Sequence, residues 1–129
     1  PHEAFWIYYG QNELQAVIAG DYKLVLPHRY RTLDGREGGK AGLPVDYQQK
    51  TTGTELYNVV ADPGETRDLA AEMPDKVAQL LEHAEKARAE LGDTLTDRTG
   101  AGSRQPGRLT EDEHTALMKT HWPNGRPGR

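Results

Sequence analysis

The sequence predicts an α+β fold, a small antiparallel sheet of about four strands packed with one long helix and followed by an irregular C-terminal extension. Three observations predict it. Short runs rich in aromatic and β-branched residues follow one another through brief turns between residues 3 and 26. A similar run returns at 54–60 after a glycine-rich excursion. Apolar residues then recur at helical spacing from 77 to 91.

Residues 3–9 (EAFWIYY) read as the first strand and Gln11-Asn12 as its turn. Residues 14–19 (LQAVIA) form the second strand, closed by Gly20-Asp21. Residues 22–26 (YKLVL) form the third, with Tyr22, Leu24 and Leu26 on one face and Lys23 and Val25 on the other. Connections this short join antiparallel neighbours. Pro27 ends the run because it has no N–H for a ladder. Residues 28–53 read as a long irregular stretch, the kind of loop that is often functional or mobile. Residues 54–60 (TELYNVV) are the fourth strand.

Asp62-Pro63-Gly64-Glu65 is a tight turn, read as type II with glycine supplying the positive φ. Asp68 is placed to cap a helical turn at 69–72 by accepting backbone N–H groups. Pro74 suits the first position of a helix, where its missing N–H costs nothing. Val77, Leu80, Leu81, Ala84, Ala87 and Leu91 make the apolar stripe of that helix. Glu82 and Lys86 are spaced for an i,i+4 pair, and Gly92 fits the position after the helix end. The stripe needs a partner, and the sheet supplies it. The division that follows is 1–92 for sheet plus helix and 93–129 for a tail. Residues 93–109 have little periodicity, and the end from Trp122 is Pro/Gly-rich. Between them Thr110-Glu-Asp-Glu113 resembles a capping box that starts a short helix at 111–120.

Composition excludes several functions. The chain has 129 residues, 35% of them hydrophobic, and a mean hydropathy of −0.84, so the core is small. A net charge of −4 with mixed signs argues against a nucleic-acid partner. No cysteine is present, which removes disulfides, thiolate metal sites and a cysteine nucleophile. No apolar run approaches the ~20 residues of a membrane span. The Pro-His start, with strand-like sequence at once behind it, reads as a fragment of a longer protein.

Few residues could carry chemistry. Gly39-Lys40 lacks the rest of a phosphate loop, being followed by Ala41 and led by Asp34. The loop is read as a flexible surface segment, with a substrate-facing role for Arg36 or Lys40 on an anion as the alternative. His2-Glu3 lacks the second histidine of a zinc motif, since position 6 is Trp. His114 and His121 could share a helix face but have no carboxylate at fixed spacing between them. The turn already explains Asp62 and Glu65 without a ligand. Ser103 is the only serine and has no histidine–aspartate logic near it.

Two segments together resemble a known family. Residues 16–24 run Ala16-Val17-Ile18-Ala19-Gly20-Asp21-Tyr22-Lys23-Leu24. Leu56-Tyr57-Asn58-Val59 is then followed by Asp62-Pro63-Gly64-Glu65 and Asp68-Leu69-Ala70. In this order they are similar to the C-terminal region of the type I sulfatases, the arylsulfatase A-like family. Ile18 stands where that family often has Arg, and Tyr22 where it often has Trp. The resemblance covers roughly residues 3–109 and implies that this is the C-terminal subdomain of an alkaline-phosphatase-like enzyme. The implied reaction is hydrolysis of a sulfate ester by a formylglycine nucleophile beside a calcium ion. Both groups are expected in an upstream catalytic domain, because this chain has neither the Cys/Ser-x-Pro/Ala-x-Arg motif nor the aspartate clusters. Arg104-Gln105-Pro106-Gly107-Arg108 has the proline and arginine spacing but arginine at the nucleophile position.

The implied partners are that upstream domain and a sulfate-ester substrate, with no nucleic acid and no membrane. For a bacterial parent the resemblance points to the periplasm or to secretion. Catalytic and metal residues are expected to be absent from the chain itself. His28, in a family-like Leu-Pro-His-x-Tyr-Arg context, is the single candidate substrate-binding residue, as a donor to substrate hydroxyl or sulfate oxygens; a loop histidine with no ligand role is the competing reading. The competing function is a free-standing, non-catalytic binding or interaction module.

Overall fold

The computed structural model describes residues 2–104 and 107–121, so Gln105, Pro106 and the Pro/Gly-rich end from Trp122 lie outside the described residues. Its elements in chain order are β1 (Phe5–Tyr9), β2 (Glu13–Ala19), β3 (Tyr22–Val25), β4 (His28–Thr32), β5 (Gln48–Thr52), β6 (Glu55–Asn58), α1 (Pro74–Leu91), β7 (Gly92–Asp93), a 3-10 turn (Thr94–Thr96), β8 (Arg98–Thr99) and α2 (Glu111–His121). The architecture is mixed α+β. A four-stranded antiparallel sheet has the order β1-β2-β3-β6, and β4-β5 and β7-β8 form two small ladders.

The register explains the core. One face of the sheet pairs Trp6 with Val17, Val17 with Leu24, and Leu24 with Leu56. Leu14, Val17, Leu24, Leu26 and Leu56 on this face are buried with Leu80, Ala84 and Ala87 of α1. The two alanines of the helix leave room for the leucines of the sheet, and each buried leucine contributes roughly 1.5–3 kcal/mol. Leu14 and Val17 are three residues apart, an odd separation that would place them on opposite faces of a regular strand. A bulge reconciles them: Ile7 pairs with Ala16 but Tyr8 with Leu14, which leaves Gln15 as the extra residue of β2.

The turns are tied to the end of α1. Asn12 takes positive φ in the β1–β2 turn and its side-chain amide donates to the Leu91 carbonyl at 2.9 Å. That carbonyl is one of the orphan acceptors of the helix end. Gly92 has φ +83, and a Cβ there would stand 2.6 Å from the Arg98 carbonyl oxygen. Asp93 is fully buried and accepts from the Leu14 and Leu95 N–H groups and from Arg88 Nε.

Several expectations need correction. The stretch 28–53 is not irregular throughout, since β4 and β5 pair from His28↔Thr52 to Thr32↔Gln48. Their sequences, HRYRT and QQKTT, are almost wholly polar, so no apolar alternation announced a hairpin whose two faces both meet solvent. The turn at 62–65 is not type II: Gly64 does not take positive φ, and Glu65 does, at +52. Asp62 makes this affordable by accepting from the Thr66 and Arg67 N–H groups at 2.7 and 2.9 Å. Leu91, the last residue of the expected stripe, is exposed at the end of α1. Among the described residues Glu82 and Lys86 form no ion pair; Glu85 instead bridges Arg88 and Arg98. Residues 92–99, which lack periodicity, are ordered by backbone contacts to the β1–β2 turn, including Thr94 N–H to the Asn12 carbonyl at 3.0 Å.

The remaining elements follow the sequence reading. Asp68 accepts from the Ala70 N–H and also from Leu56 N–H, fastening the turn to β6. Pro74 opens α1. Thr110 and Glu113 close the reciprocal capping box of α2, with Thr110 N–H to Glu113 Oε2 at 2.8 Å.

Candidate functional site

His28 begins β4, one residue after Pro27 turns the chain off the main sheet. It lines a cleft of ≈ 410 Å³ between the hairpin and the sheet face opposite α1. The floor of this cleft is one row of the pleat, Ile7, Ala16, Val25 and Glu55, partners in successive strand pairs. Lys23, Tyr30, Thr52 and the bulged Gln15 complete the lining. The bulge therefore does two things. It keeps Leu14 and Val17 on the core side, and it aims Gln15 into the cleft.

The geometry fixes the chemistry of His28. Its Nδ1 lies 2.6 Å from the Leu26 carbonyl oxygen. A carbonyl only accepts, so Nδ1 carries the hydrogen and Nε2 is left for a ligand. In the neutral ring Nε2 accepts, which suits a substrate hydroxyl. Donation to a sulfate oxygen requires the imidazolium. Tyr30 packs against the ring edge-on with centroids 6.4 Å apart, which further restricts its orientation.

The other polar groups are committed to one another. Glu55 accepts from the Tyr57 hydroxyl at 2.6 Å and from the Thr52 hydroxyl. The carboxylate beside it, with burial second, pushes the Tyr57 phenol far above its ordinary range, so Tyr57 keeps its proton. Lys23 Nζ lies 2.8 Å from both carboxylate oxygens of Glu65. This contact gives the Asp62–Glu65 turn a physical link to the cleft, one that the sequence offered no means of seeing across 42 residues.

The remaining groups considered for chemistry are engaged elsewhere or stand apart from the cleft. Among the described residues no group of three or more His, Cys, Asp or Glu could hold a metal ion. Asp62 spends its carboxylate on backbone N–H groups and Glu65 on Lys23. Ser103 is exposed, its hydroxyl 3.4 Å from the Leu91 carbonyl. Among the described residues these carboxylates form no calcium cage, and Ser103 has Gln105 where a Ser-x-Pro/Ala-x-Arg motif needs Pro or Ala. Arg36, considered for an anion, instead donates to the Leu33 and Asp46 carbonyls and closes the hairpin loop. Lys40 pairs with Glu37 in open solvent.

Sequence reasoning missed Gln15, Lys23 and Tyr30 as cleft residues. The His-x-Tyr alternation of 28–30 carried a period-two signal for the last of them. The other two depended on the bulge and on a distant carboxylate.

Residues 1–116 match the family model described as the C-terminal region of aryl-sulfatase. No curated protein and no solved structure matches the chain.

Proposed function

The chain belongs to the family of aryl-sulfatase C-terminal regions, and from that premise we propose that it is the C-terminal part of an enzyme hydrolysing sulfate esters. In this reading it contributes stability and substrate-pocket shape to a catalytic domain encoded upstream. That domain supplies the nucleophile and the metal, expected to be formylglycine and calcium.

The observation that carries the proposal is His28, pinned through Nδ1 with Nε2 left to the cleft. Ligand sites favour junctions between domains. The cleft opens on the sheet face that α1 does not cover, where Phe5 and Tyr9 are 60% and 70% exposed. Apolar side chains clustered on such a face are the expected footprint of a neighbouring domain. Bound there, a substrate would be held by His28 at a hydroxyl or sulfate oxygen while the upstream residues act on the ester.

The test uses His28→Asn in the enzyme joined to its upstream region. Asparagine can keep the bond to the Leu26 carbonyl through its amide but has nothing at the Nε2 position. Loss of a hydrogen bond to a charged group is worth about 1.5–3 kcal/mol, so kcat/KM for an aryl sulfate should fall about 10- to 100-fold with folding unchanged. Unchanged kcat/KM would return His28 to a purely structural role. Turnover by the 129-residue chain alone would overturn the division of labour.

A further inference from the structure

No residue of α2 is buried, although the helix is well formed at both ends. Thr110 and Glu113 close its capping box, Glu111, Asp112 and Glu113 stand in its first turn, and Lys119 and His121 in its last. A helix of 11 residues is marginal in water without tertiary contacts. Its sequence nevertheless carries a stripe. Glu111 and Met118 are seven apart, His114 and Leu117 fall between them at helical spacing, and His121 follows Leu117 by four. Leu117 is 45% exposed.

A cleft of ≈ 470 Å³ lies between the outer strand β1 and α1. Its apolar lining includes Phe5 and Leu91, which are 60% and 38% exposed. Its charged lining is mostly basic, with His2, His83 and Lys86 against Glu3. Among the described residues Lys86 has no ion-pair or hydrogen-bond partner. The chain that leads to α2 is fastened at this cleft. Gly102 N–H donates to the Glu90 carbonyl at 2.7 Å, and Ser103 Oγ lies 3.4 Å from the Leu91 carbonyl. Residues 104–110 then connect to α2. Seven residues reach at most roughly 25 Å. The cleft from His83 to Leu91 occupies only about 12 Å of α1, so all of it is within reach.

We propose that α2 docks into this cleft as a strap, parallel to α1, with Glu111 at Lys86 and the Leu117–Met118 pair over Leu91 and Phe5. The spacings match. Glu111 to Leu117 advances about 9 Å along a helix and Lys86 to Leu91 about 7.5 Å, a difference that side chains absorb. Burial of the apolar pair supplies most of the affinity. The ion pair contributes little by itself and sets the register. No residue lines both this cleft and the one that holds His28, so the strap and the pocket stand independently.

The experiment reads amide exchange of residues 115–121 by NMR in the 129-residue chain and in a synthetic peptide of residues 109–121. The chain should exchange at least ~5-fold more slowly, because docking adds protection that a short helix lacks. Phe5→Ser should remove most of that slowing. Tyr9→Ser, which alters an exposed side chain of the same strand outside the cleft, should not. Lys86→Glu and Glu111→Lys should each weaken protection about 2- to 5-fold, and the two together should restore it. Damage done by Glu111→Lys to the helix alone would persist in the double variant. Four results would each overturn the proposal: equal exchange in chain and peptide, slowing that grows with chain concentration and so marks a second copy as the occupant, indifference to Phe5→Ser, or no restoration by the charge swap.

Discussion

Removing the Asp93 carboxylate tests the structural logic at its most sensitive point. Asp93 is fully buried, with its oxygens 3.2 Å from Leu14 N, 3.0 Å from Leu95 N and 2.9 Å from Arg88 Nε. It joins β2, α1 and the 3-10 turn through one side chain. Asp93→Ala strands the Arg88 guanidinium, whose side chain is 13% exposed, with Glu85 as its remaining partner, and it leaves the Leu14 N–H without an acceptor. Breaking a buried pair from one side costs about 3–5 kcal/mol. Asp93→Asn retains an acceptor for the two N–H groups but turns an amide donor toward Arg88, and should cost about 1.5–3 kcal/mol. Against a total stability of roughly 5–15 kcal/mol, the alanine variant is partly or wholly unfolded at room temperature. Urea unfolding read by tryptophan fluorescence measures both, with the slope checked for constancy. Arg88→Met combined with Asp93→Ala should cost less than the sum of the single changes by more than about 1 kcal/mol, because the stranded charge is gone. A loss below about 1 kcal/mol for Asp93→Ala, or strict additivity in the double variant, would refute this reasoning.

Three further outcomes are expected. Gly92→Ala forces a Cβ at φ +83 to within 2.6 Å of the Arg98 carbonyl, so it should destabilise by more than about 1 kcal/mol and loosen β7-β8, seen as faster amide exchange of residues 92–99. The Arg67 and Thr66 backbone N–H groups hold the Asp62 carboxyl below the usual carboxylate range, and Arg98 with Arg88 does the same for Glu85. A lowered folded value means that these groups contribute stability above the ordinary carboxylate range and lose it as pH falls through the lowered one, so urea midpoints should drop on acidification and less steeply for Asp62→Asn; parallel curves for the two proteins would contradict it. Thr110→Ala removes the capping hydroxyl of α2, a helix with no buried residue, so helical signal from 111–121 should fall while the urea midpoint of the sheet and α1 stays put.

How much was legible in the sequence follows from which interactions are local. The strands at 5–9, 13–19 and 22–25 could be read because each is a short run rich in aromatic and β-branched residues between turns, and α1 because its stripe repeats at helical spacing. The cap at Asp68 and the box at Thr110 and Glu113 each lie within a few residues of the groups they satisfy. The hairpin β4-β5 was illegible because neither face is buried, so its residues answer to solvent and to pairing, not to a periodic pattern. The turn at 62–65 was placed correctly and typed wrongly. Glycine permits positive φ, yet Glu65 takes it, in a turn closed by Asp62 on the Thr66 and Arg67 N–H groups and tied to Lys23 of β3 through the Glu65 carboxylate.

The candidate site divides in the same way. The Leu-Pro-His context marked His28 from sequence, and the segment at 55–74 marked the family. Sequence alone therefore determined the fold class, the family and one residue of the cleft. The bulge that aims Gln15, the lysine held by Glu65 and the buried Asp93 hub were decided only by tertiary structure. Each depends on groups brought together from more than 40 residues apart or on a register slip, and chain-local propensity carries no term for either.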